Sequence, residues 1–263
     1  MLNGWTFLIV TLFTYYLTCQ CVSTWLIRSG EPVQQRTEFP FIALLMTDAS
    51  MCTGSLVSSR AVLTAGHCVC GQTPIVRVSF LSLSEFDQRT INHRPLEIKV
   101  APEYNPVCQL KRENKRITKS LGGYDMAIIT LTNLVNLETG VKVISLAAEL
   151  DIPIPESIAY MVGYGQDIRD PDPSGRYGGI LKKGSATIMA CRHKTFGDPI
   201  CVKPGPNSKQ IAGPGDSGGP LLLTPQGPIV GVASNGVFLP ALADLCVEYS
   251  SVPRMLKFIL PNI

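Results

Sequence analysis

Short apolar runs, interrupted by Gly, Pro and Asn, dominate the pattern of hydrophobic and polar positions along this chain. Runs of this length bounded by turn residues predict β-strands rather than helices. Leu96, Ile98 and Val100 alternate with Glu97 and Lys99, which predicts a strand with one buried face. The predicted strands cover 41–46, 61–64, 78–83, 96–100, 126–131, 159–162, 185–191, 220–223 and 229–233.

One segment near the C-terminus has a helical pattern instead. Ser251 suits an N-cap, Pro253 suits the first turn and Pro261 ends the run, so 252–260 is predicted as the one clear helix. Many short strands with a single helix indicate an all-β protein, built as a sandwich or as barrels.

The composition supports this interpretation. The 263 residues allow one large domain or two small ones, and 23 Gly and 20 Pro with only 16% charged residues suit a turn-rich β protein. The formal net charge of +3 is too small to indicate binding to nucleic acid or to a membrane, so neither is expected as a partner.

The N-terminus has the pattern of a secretory signal. The apolar stretch 5–17 is short for a membrane span and has the length of a signal-peptide core. Cys19, Cys21 and Ser23 offer small residues for cleavage, although no Lys or Arg precedes the stretch. We expect a signal peptide at 1–23 and a secreted, extracellular protein; the alternative is a buried N-terminal helix.

Three separate segments carry candidate chemistry. GDSGGP at 215–220 surrounds Ser217 with glycines, which let the backbone approach a substrate carbonyl closely. LTAGHC at 63–68 supplies His67, and DMAIITL at 125–131 supplies Asp125. A serine hydroxyl needs an adjacent base to become a nucleophile, and the base needs an orienting acid. Gly-Asp-Ser-Gly alone is also an ordinary turn, but His, Asp and Ser in this order indicate a catalytic triad.

These motifs, with FPF at 39–41 and MVGYGQ at 161–166, resemble the trypsin/chymotrypsin-like serine endopeptidases from about Ile27 to the C-terminus. The resemblance implies an all-β fold of two six-stranded antiparallel β-barrels of the chymotrypsin type with a short C-terminal helix. The active site would lie in the cleft between the barrels. The implied protease domain is 27–263, preceded by a short propeptide at 24–26.

The resemblance also implies a role for each site residue. Ser217 attacks the substrate, His67 takes its proton and returns it to the leaving amine, and Asp125 orients His67. The N–H groups of Gly215 and Ser217 form the oxyanion hole. The expected protein is a monomeric endopeptidase that acts on protein or peptide substrates. Its expected partners are an activating protease and protein inhibitors. A catalytically silent homologue that acts as a binding protein and a hydrolase of esters are the alternatives.

Nine cysteines fit an oxidising compartment, and no CxxC pair or His/Cys cluster has metal-ligand spacing, so neither a metal nor another cofactor is expected. Two disulfides are implied by the resemblance: Cys52–Cys68 beside the catalytic histidine, and Cys191–Cys201. Cys70–Cys108 is the remaining expected pair once Cys19 and Cys21 leave with the signal. Cys246 is then left over, either buried and inert or linked to another chain.

Activation and specificity depend on less regular segments. By resemblance, Ile27 becomes the N-terminus of the active enzyme and its ammonium pairs with Asp216, although Leu26 and Arg28 depart from the family pattern. The expected pocket for the residue before the scissile bond is formed by Ile211, Ser234, Gly236 and Val247, and predicts an apolar preference. A shifted register would instead bring Lys209 into the pocket and favour acidic residues.

An insertion before Asp125 carries a cluster of basic residues: Lys111, Arg112, Lys115, Arg116 and Lys119. The simpler interpretation is a solvated loop. The alternative is that the insertion rims the cleft beyond the primary pocket and attracts acidic stretches of substrate.

Overall fold

A computed structural model describes residues 30–48, 50–71, 73–84, 86–115, 121–165, 179–191, 196–205, 208–239 and 244–263. In this part of the chain, fourteen strands form two sheets and three α-helices lie outside them. The strands are β1 (Glu31–Pro32), β2 (Ile42–Met46), β3 (Met51–Leu56), β4 (Ala61–Thr64), β5 (Arg77–Phe80), β6 (Ile91–His93), β7 (Pro95–Val100), β8 (Ala127–Leu131), β9 (Ile158–Gly163), β10 (Lys182–Met189), β11 (Ile200–Pro204), β12 (Pro220–Leu222), β13 (Ile229–Leu239) and β14 (Asp244–Ser251). The helices are α1 (Gly66–Val69), α2 (Asn105–Arg112) and α3 (Val252–Ile259).

The first sheet has the strand order β6-β5-β2-β3-β4-β8-β7, with antiparallel pairing throughout. Its two edge strands, β6 and β7, are consecutive in the chain and separated only by Arg94. The sheet therefore curves until its edges are joined by one residue, and it encloses an apolar cluster that includes Leu45, Val62 and Phe80.

The second sheet closes on itself. Its order is β1-β10-β11-β14-β13-β12-β9, and β9 also pairs with β10, which completes a ring of six strands. The two-residue strand β1 adds to the outside of β10. With the first sheet and the short C-terminal helix, this arrangement confirms the expected all-β fold of two β-barrel-like sheets. The second sheet has the expected closed ring of six strands, whereas the first is a half-barrel of seven strands whose described edges do not pair.

The strand 96–100 was predicted to have one buried face, and this prediction is wrong. Leu96 is 60% exposed and Ile98 37% exposed. β7 is an edge strand that pairs in the sheet only with β8, so Leu96 and Ile98 lie uncovered, and only Val100 at its end packs partly against the core.

The basic insertion is not simply a loop, because it contains α2. The helix follows a 3-10 turn at Pro102–Tyr104, has Pro106 in its first turn, and buries Val107 and Cys108. The disulfide between Cys108 and Cys70 ties the helix to the residue that follows α1. α3 ends one residue before its predicted boundary, and Ser251 stands at its N-cap position without a side-chain capping hydrogen bond. Among the described residues, no helix has both the length and the apolar character needed to cross a membrane.

Candidate active site

Sheet pairing places His67 beside Asp125. β4 and β8 are antiparallel neighbours, with Thr64 opposite Ala127. His67 lies in α1 just after β4 ends, and Asp125 lies just before β8 begins. Because the end of one strand lies next to the start of its antiparallel partner, the two residues meet at the same edge of the first barrel.

The contact between these residues is close and has two parts. His67 Nδ1 lies 2.6 Å from Asp125 Oδ2, and the backbone N–H of His67 donates to Asp125 Oδ1 at 2.7 Å. The Ser234 hydroxyl, from the second barrel, donates to Asp125 Oδ2 at 2.7 Å. Asp125 is only 2% exposed, so burial raises the pKa of its carboxyl, but the neighbouring His67 and these hydrogen bonds outweigh burial and hold the pKa below its usual value. The carboxylate is therefore charged and oriented toward the imidazole.

Ser217 lies in the turn before β12, and hydrogen bonds to Thr53 of β3 connect this turn to the first barrel. The Ser217 carbonyl accepts a hydrogen bond from the backbone N–H of Thr53 at 2.8 Å, and the Thr53 hydroxyl donates to the Gly215 carbonyl at 2.8 Å. Among the described residues, the hydrogen bonds of His67 go to Asp125 and none joins it to the Ser217 hydroxyl. Catalytic hydrogen bonds of this kind often tighten only when substrate binds.

The turn also leaves two backbone donors available. Gly215 has φ of +94°, a left-handed conformation that suits glycine. In the described part of the chain, the backbone N–H groups of Gly215 and Ser217 donate to no protein acceptor. Two such donors, two residues apart in one turn, can stabilise a developing oxyanion.

Asp216, between these two residues, points away from the cleft. Its side chain is buried, with Oδ1 accepting from the Gly165 N–H at 2.7 Å and Oδ2 from the Gly213 N–H at 2.9 Å. These bonds hold the turn in shape. Ile27, the expected partner of Asp216, lies outside the described residues.

The cleft between the barrels has a volume of about 710 Å³ and contains the whole triad in its lining. Of the expected pocket residues, Ser234, Gly236 and Val247 line it. Ile211 does not. Ile211 is 1% exposed and packs in the apolar core of the second barrel, because a large aliphatic side chain gains most from burial. The adjacent Ala212 lines the cleft instead. Lys209 is exposed on the surface and outside the lining, so the shifted register is not the one observed.

Tyr104 and Val107, which were not predicted as site residues, also line the cleft. The ring of Tyr104 packs directly against Gly66, where a Cβ would lie 2.7 Å from Tyr104 Cδ1 and 3.1 Å from Asp125 Oδ1. Burial, and then the nearby Asp125 carboxylate, raise the pKa of the Tyr104 phenol. The available sequence signal was Gly66 itself, a glycine directly before His67, where the absence of a Cβ leaves room for the Tyr104 ring.

The three expected disulfides, Cys52–Cys68, Cys70–Cys108 and Cys191–Cys201, are bonded in the structure. Cys246 is outside these bonds and is buried beside Cys201 and Met189. Within the described residues, the one grouping of potential metal ligands is Cys52, His67 and Cys68, whose two sulfur atoms are bonded to each other. The disulfide removes the thiolates that a metal would need.

Comparisons of the sequence and of the fold with known proteins identify the same family. A family model described as Trypsin matches residues 27–259. The cercarial protease of Schistosoma mansoni is 59% identical over 264 residues, covering 100% of both chains. Among solved structures, mouse neuropsin superposes with a TM-score of 0.69 at 23% identity, covering 89% of this chain and 98% of its own. A mutant of human heparin binding protein gives 0.68 at 18% identity, with 89% and 95% covered. The chain therefore belongs to the trypsin family of serine endopeptidases.

Proposed function

We propose that this protein is a secreted endopeptidase that cleaves peptide bonds through an acyl-enzyme on Ser217, after an apolar residue. The observation that carries the proposal is the joint geometry of the cleft. On one side a buried carboxylate is hydrogen-bonded to an imidazole, and on the other lies a serine whose own backbone N–H and that of Gly215 are unused donors.

In the proposed mechanism, His67 removes the proton from the Ser217 hydroxyl as the oxygen attacks the scissile carbonyl. Asp125 holds Nδ1 protonated, which leaves Nε2 to act as the base, and stabilises the imidazolium that forms. The carbonyl oxygen becomes an oxyanion held by the N–H groups of Gly215 and Ser217; losing one such donor typically costs about 3–4 kcal/mol of transition-state stabilisation. His67 then protonates the leaving amine, and water releases the acyl group by the reverse sequence.

The proposed preference follows from the second-barrel side of the cleft. Ala212, Ala233, Gly236 and Val247 surround the space beside Ser217, and no described residue from this barrel brings a charge into the lining. A Lys or Arg side chain placed there would have an unpaired charge, which costs several kcal/mol. An apolar side chain would only exchange water for apolar surface, which is favourable.

Secretion and maturation belong to the same proposal. Residues 1–23 act as the signal and 24–26 as a short propeptide, and 27–263 is the active domain. An activating protease exposes Ile27, whose ammonium pairs with Asp216. The mature enzyme acts outside the cell as a monomer on protein or peptide substrates and is controlled by protein inhibitors.

The fold alone does not decide between catalysis and binding, since one structural relative is named for binding heparin. The contacts of His67 and Asp125 favour catalysis, because a silent homologue has no need for a charged, buried Asp bonded to an imidazole.

The test uses the chain beginning at Ile27, with that terminus verified by N-terminal sequencing, and a peptide library that varies the residue before the cut. We expect cleavage after apolar residues that is lost in Ser217→Ala. Cleavage mainly after Lys or Arg would contradict the proposed pocket and leave the mechanism intact. The absence of cleavage by the wild-type protein would favour the silent homologue.

A further inference from the structure

One basic residue of the insertion faces the active-site cleft. Lys111 is half-buried and lines the same cavity as His67 and Ser217. Arg112 and Lys115, its neighbours in the insertion, are exposed to solvent instead, and the Lys115 ammonium pairs with the Glu113 carboxylate at 2.7 Å. The orientation comes from the helix. Val107 and Lys111 are four residues apart on α2 and therefore occupy one face, which points into the cleft.

The ammonium of Lys111 has no carboxylate partner of its own. Within the described residues it forms no ion pair, and the one acidic residue lining the cleft is Asp125. Both oxygens of Asp125 are already engaged, Oδ1 by the His67 N–H and Oδ2 by His67 Nδ1 and Ser234. Burial of Lys111 lowers the pKa of its ammonium, and the nearby Asp125 opposes this effect. A half-buried cation in a substrate cleft is thus left to be paired by a ligand.

We propose that Lys111 binds an acidic side chain of the substrate close to the scissile bond. This inference rests on the proposed endopeptidase function and adds a second determinant of specificity to it. The aliphatic stem of an Asp or Glu would lie against the apolar wall of Tyr104, Val107 and Leu121, and its carboxylate would reach the Lys111 ammonium. A charge-assisted hydrogen bond in a partly desolvated site is stronger than one on the open surface.

A purely structural role for Lys111 makes a different prediction. Lys111 and Arg112 both lie in the last turn of α2, where a positive charge stabilises the helix. Arg112 does so from the exposed side. If Lys111 only stabilised the helix or the triad, its removal would change cleavage of all substrates by the same factor.

The experiment compares two peptide series that share one apolar residue before the cut. In each series a single Glu, or its neutral isostere Gln, occupies either one of the three positions that precede the shared apolar residue or one of the first three positions after the cut. We expect one position at which wild-type kcat/KM is about tenfold higher for Glu than for Gln. This ratio should fall to about one in Lys111→Met and be largely retained in Lys111→Arg. Lys115→Met is the matched control, with the same loss of charge outside the cleft, and should keep the wild-type ratio.

Three results would overturn the proposal. Cleavage of all peptides with no preference for Glu at any position would remove the acidic subsite and leave the endopeptidase function standing. An equal loss for Glu and Gln peptides in Lys111→Met would assign Lys111 to the helix or the triad. Failure of the wild-type enzyme to cleave any peptide would contradict the endopeptidase function itself, and the subsite with it.

Discussion

The two walls of the cleft differ in chemical character. The first barrel and its insertion contribute the ionisable groups: His67, Tyr104, Lys111 and Asp125. The second barrel contributes small, neutral residues to the described lining: Ala212, Gly213, Pro214, Ser217, Ala233, Ser234, Asn235, Gly236 and Val247. The charged side chains of the lining thus lie on the wall proposed to transfer protons, and the wall proposed to receive a substrate side chain is neutral.

This separation has a physical advantage. Asp125 and His67 interact strongly because Asp125 is buried, and another charge on the opposite wall would perturb their pairing. The second barrel contributes a polar group to this pair through the neutral hydroxyl of Ser234. The predictions below test whether the two walls have these separate roles, beginning with the largest effect.

Ser217 is the second-barrel residue proposed to attack the substrate, so its replacement should abolish most of the activity. Ser217→Ala should lower kcat/KM by about 10⁴- to 10⁶-fold, because a triad acts as a unit. Steady-state hydrolysis of an apolar-site peptide measures this change. An unchanged melting temperature would show that the fold is intact, and residual activity within tenfold of wild type would contradict the assignment of Ser217.

Placing a charge on the neutral wall should reverse its preference. Val247→Asp puts a carboxylate into the lining, so the kcat/KM ratio for Lys over Leu before the cut should rise at least about 100-fold. Competition between the two peptides measures the ratio directly. Val247→Ala is the control, and it should alter the preference among apolar residues without favouring Lys. An unchanged ratio in Val247→Asp would place the primary pocket elsewhere.

A small change on the first-barrel wall should disturb the triad sterically. Gly66→Ala introduces a Cβ that collides with Tyr104 and approaches Asp125 Oδ1, so we expect a loss of about 1–3 kcal/mol in the free energy of unfolding together with a lower kcat. Urea unfolding and single-turnover kinetics measure the two effects.

Gly205→Ala is the matched control for this substitution, since its added Cβ would have no neighbour closer than 3.8 Å. The two variants should therefore differ clearly. Equal stability and equal kcat in both would contradict the close packing of Tyr104 on Gly66.

The smallest effect concerns a charge of the first barrel that lies outside the cleft. Burial raises the pKa of Asp87, but the hydrogen bond from Arg36 and those from the Leu83 and Arg89 backbones outweigh it and lower the pKa to about 2. A carboxyl whose pKa is depressed on folding stabilises the protein above its unfolded pKa, near 4, and loses this contribution as the pH falls toward 2.

Asp87→Asn should therefore lower the free energy of unfolding by about 1–2 kcal/mol at pH 7 and flatten its decline between about pH 4 and 2. Urea unfolding across this range, compared with the wild-type protein, checks both parts. A decline of the same steepness in the variant would assign the acid sensitivity to other groups.

The triad was predictable because its residues lie in compact motifs next to strands with clear apolar patterns. The strand at 61–64 has its predicted bounds, and 126–131 differs by one residue at its start. Pairing of these two strands is what brings His67 to Asp125.

Other features depend on tertiary contacts that the pattern does not encode. Met51–Leu56 is a central strand of the first sheet, but its Thr, Gly and Ser are typical of turns. α2 was missed because Asn-Pro at its start also indicates a turn, and its burial depends on the Cys70–Cys108 bond and on the cleft. Ile211 was expected in the pocket from alignment alone, but its side chain packs in the core of the second barrel instead.

The most direct test of the division between the walls is covalent labelling of Ser217. Two peptidyl phosphonates that differ only in the side chain bound by the neutral wall, Leu or Lys, would be compared by their second-order rate constants and by intact mass. We predict that the Leu reagent reacts at least about tenfold faster, with the adduct on Ser217 and none in Ser217→Ala. Faster reaction of the Lys reagent would contradict the proposed neutral wall, and an adduct that persists in Ser217→Ala would contradict the role of Ser217.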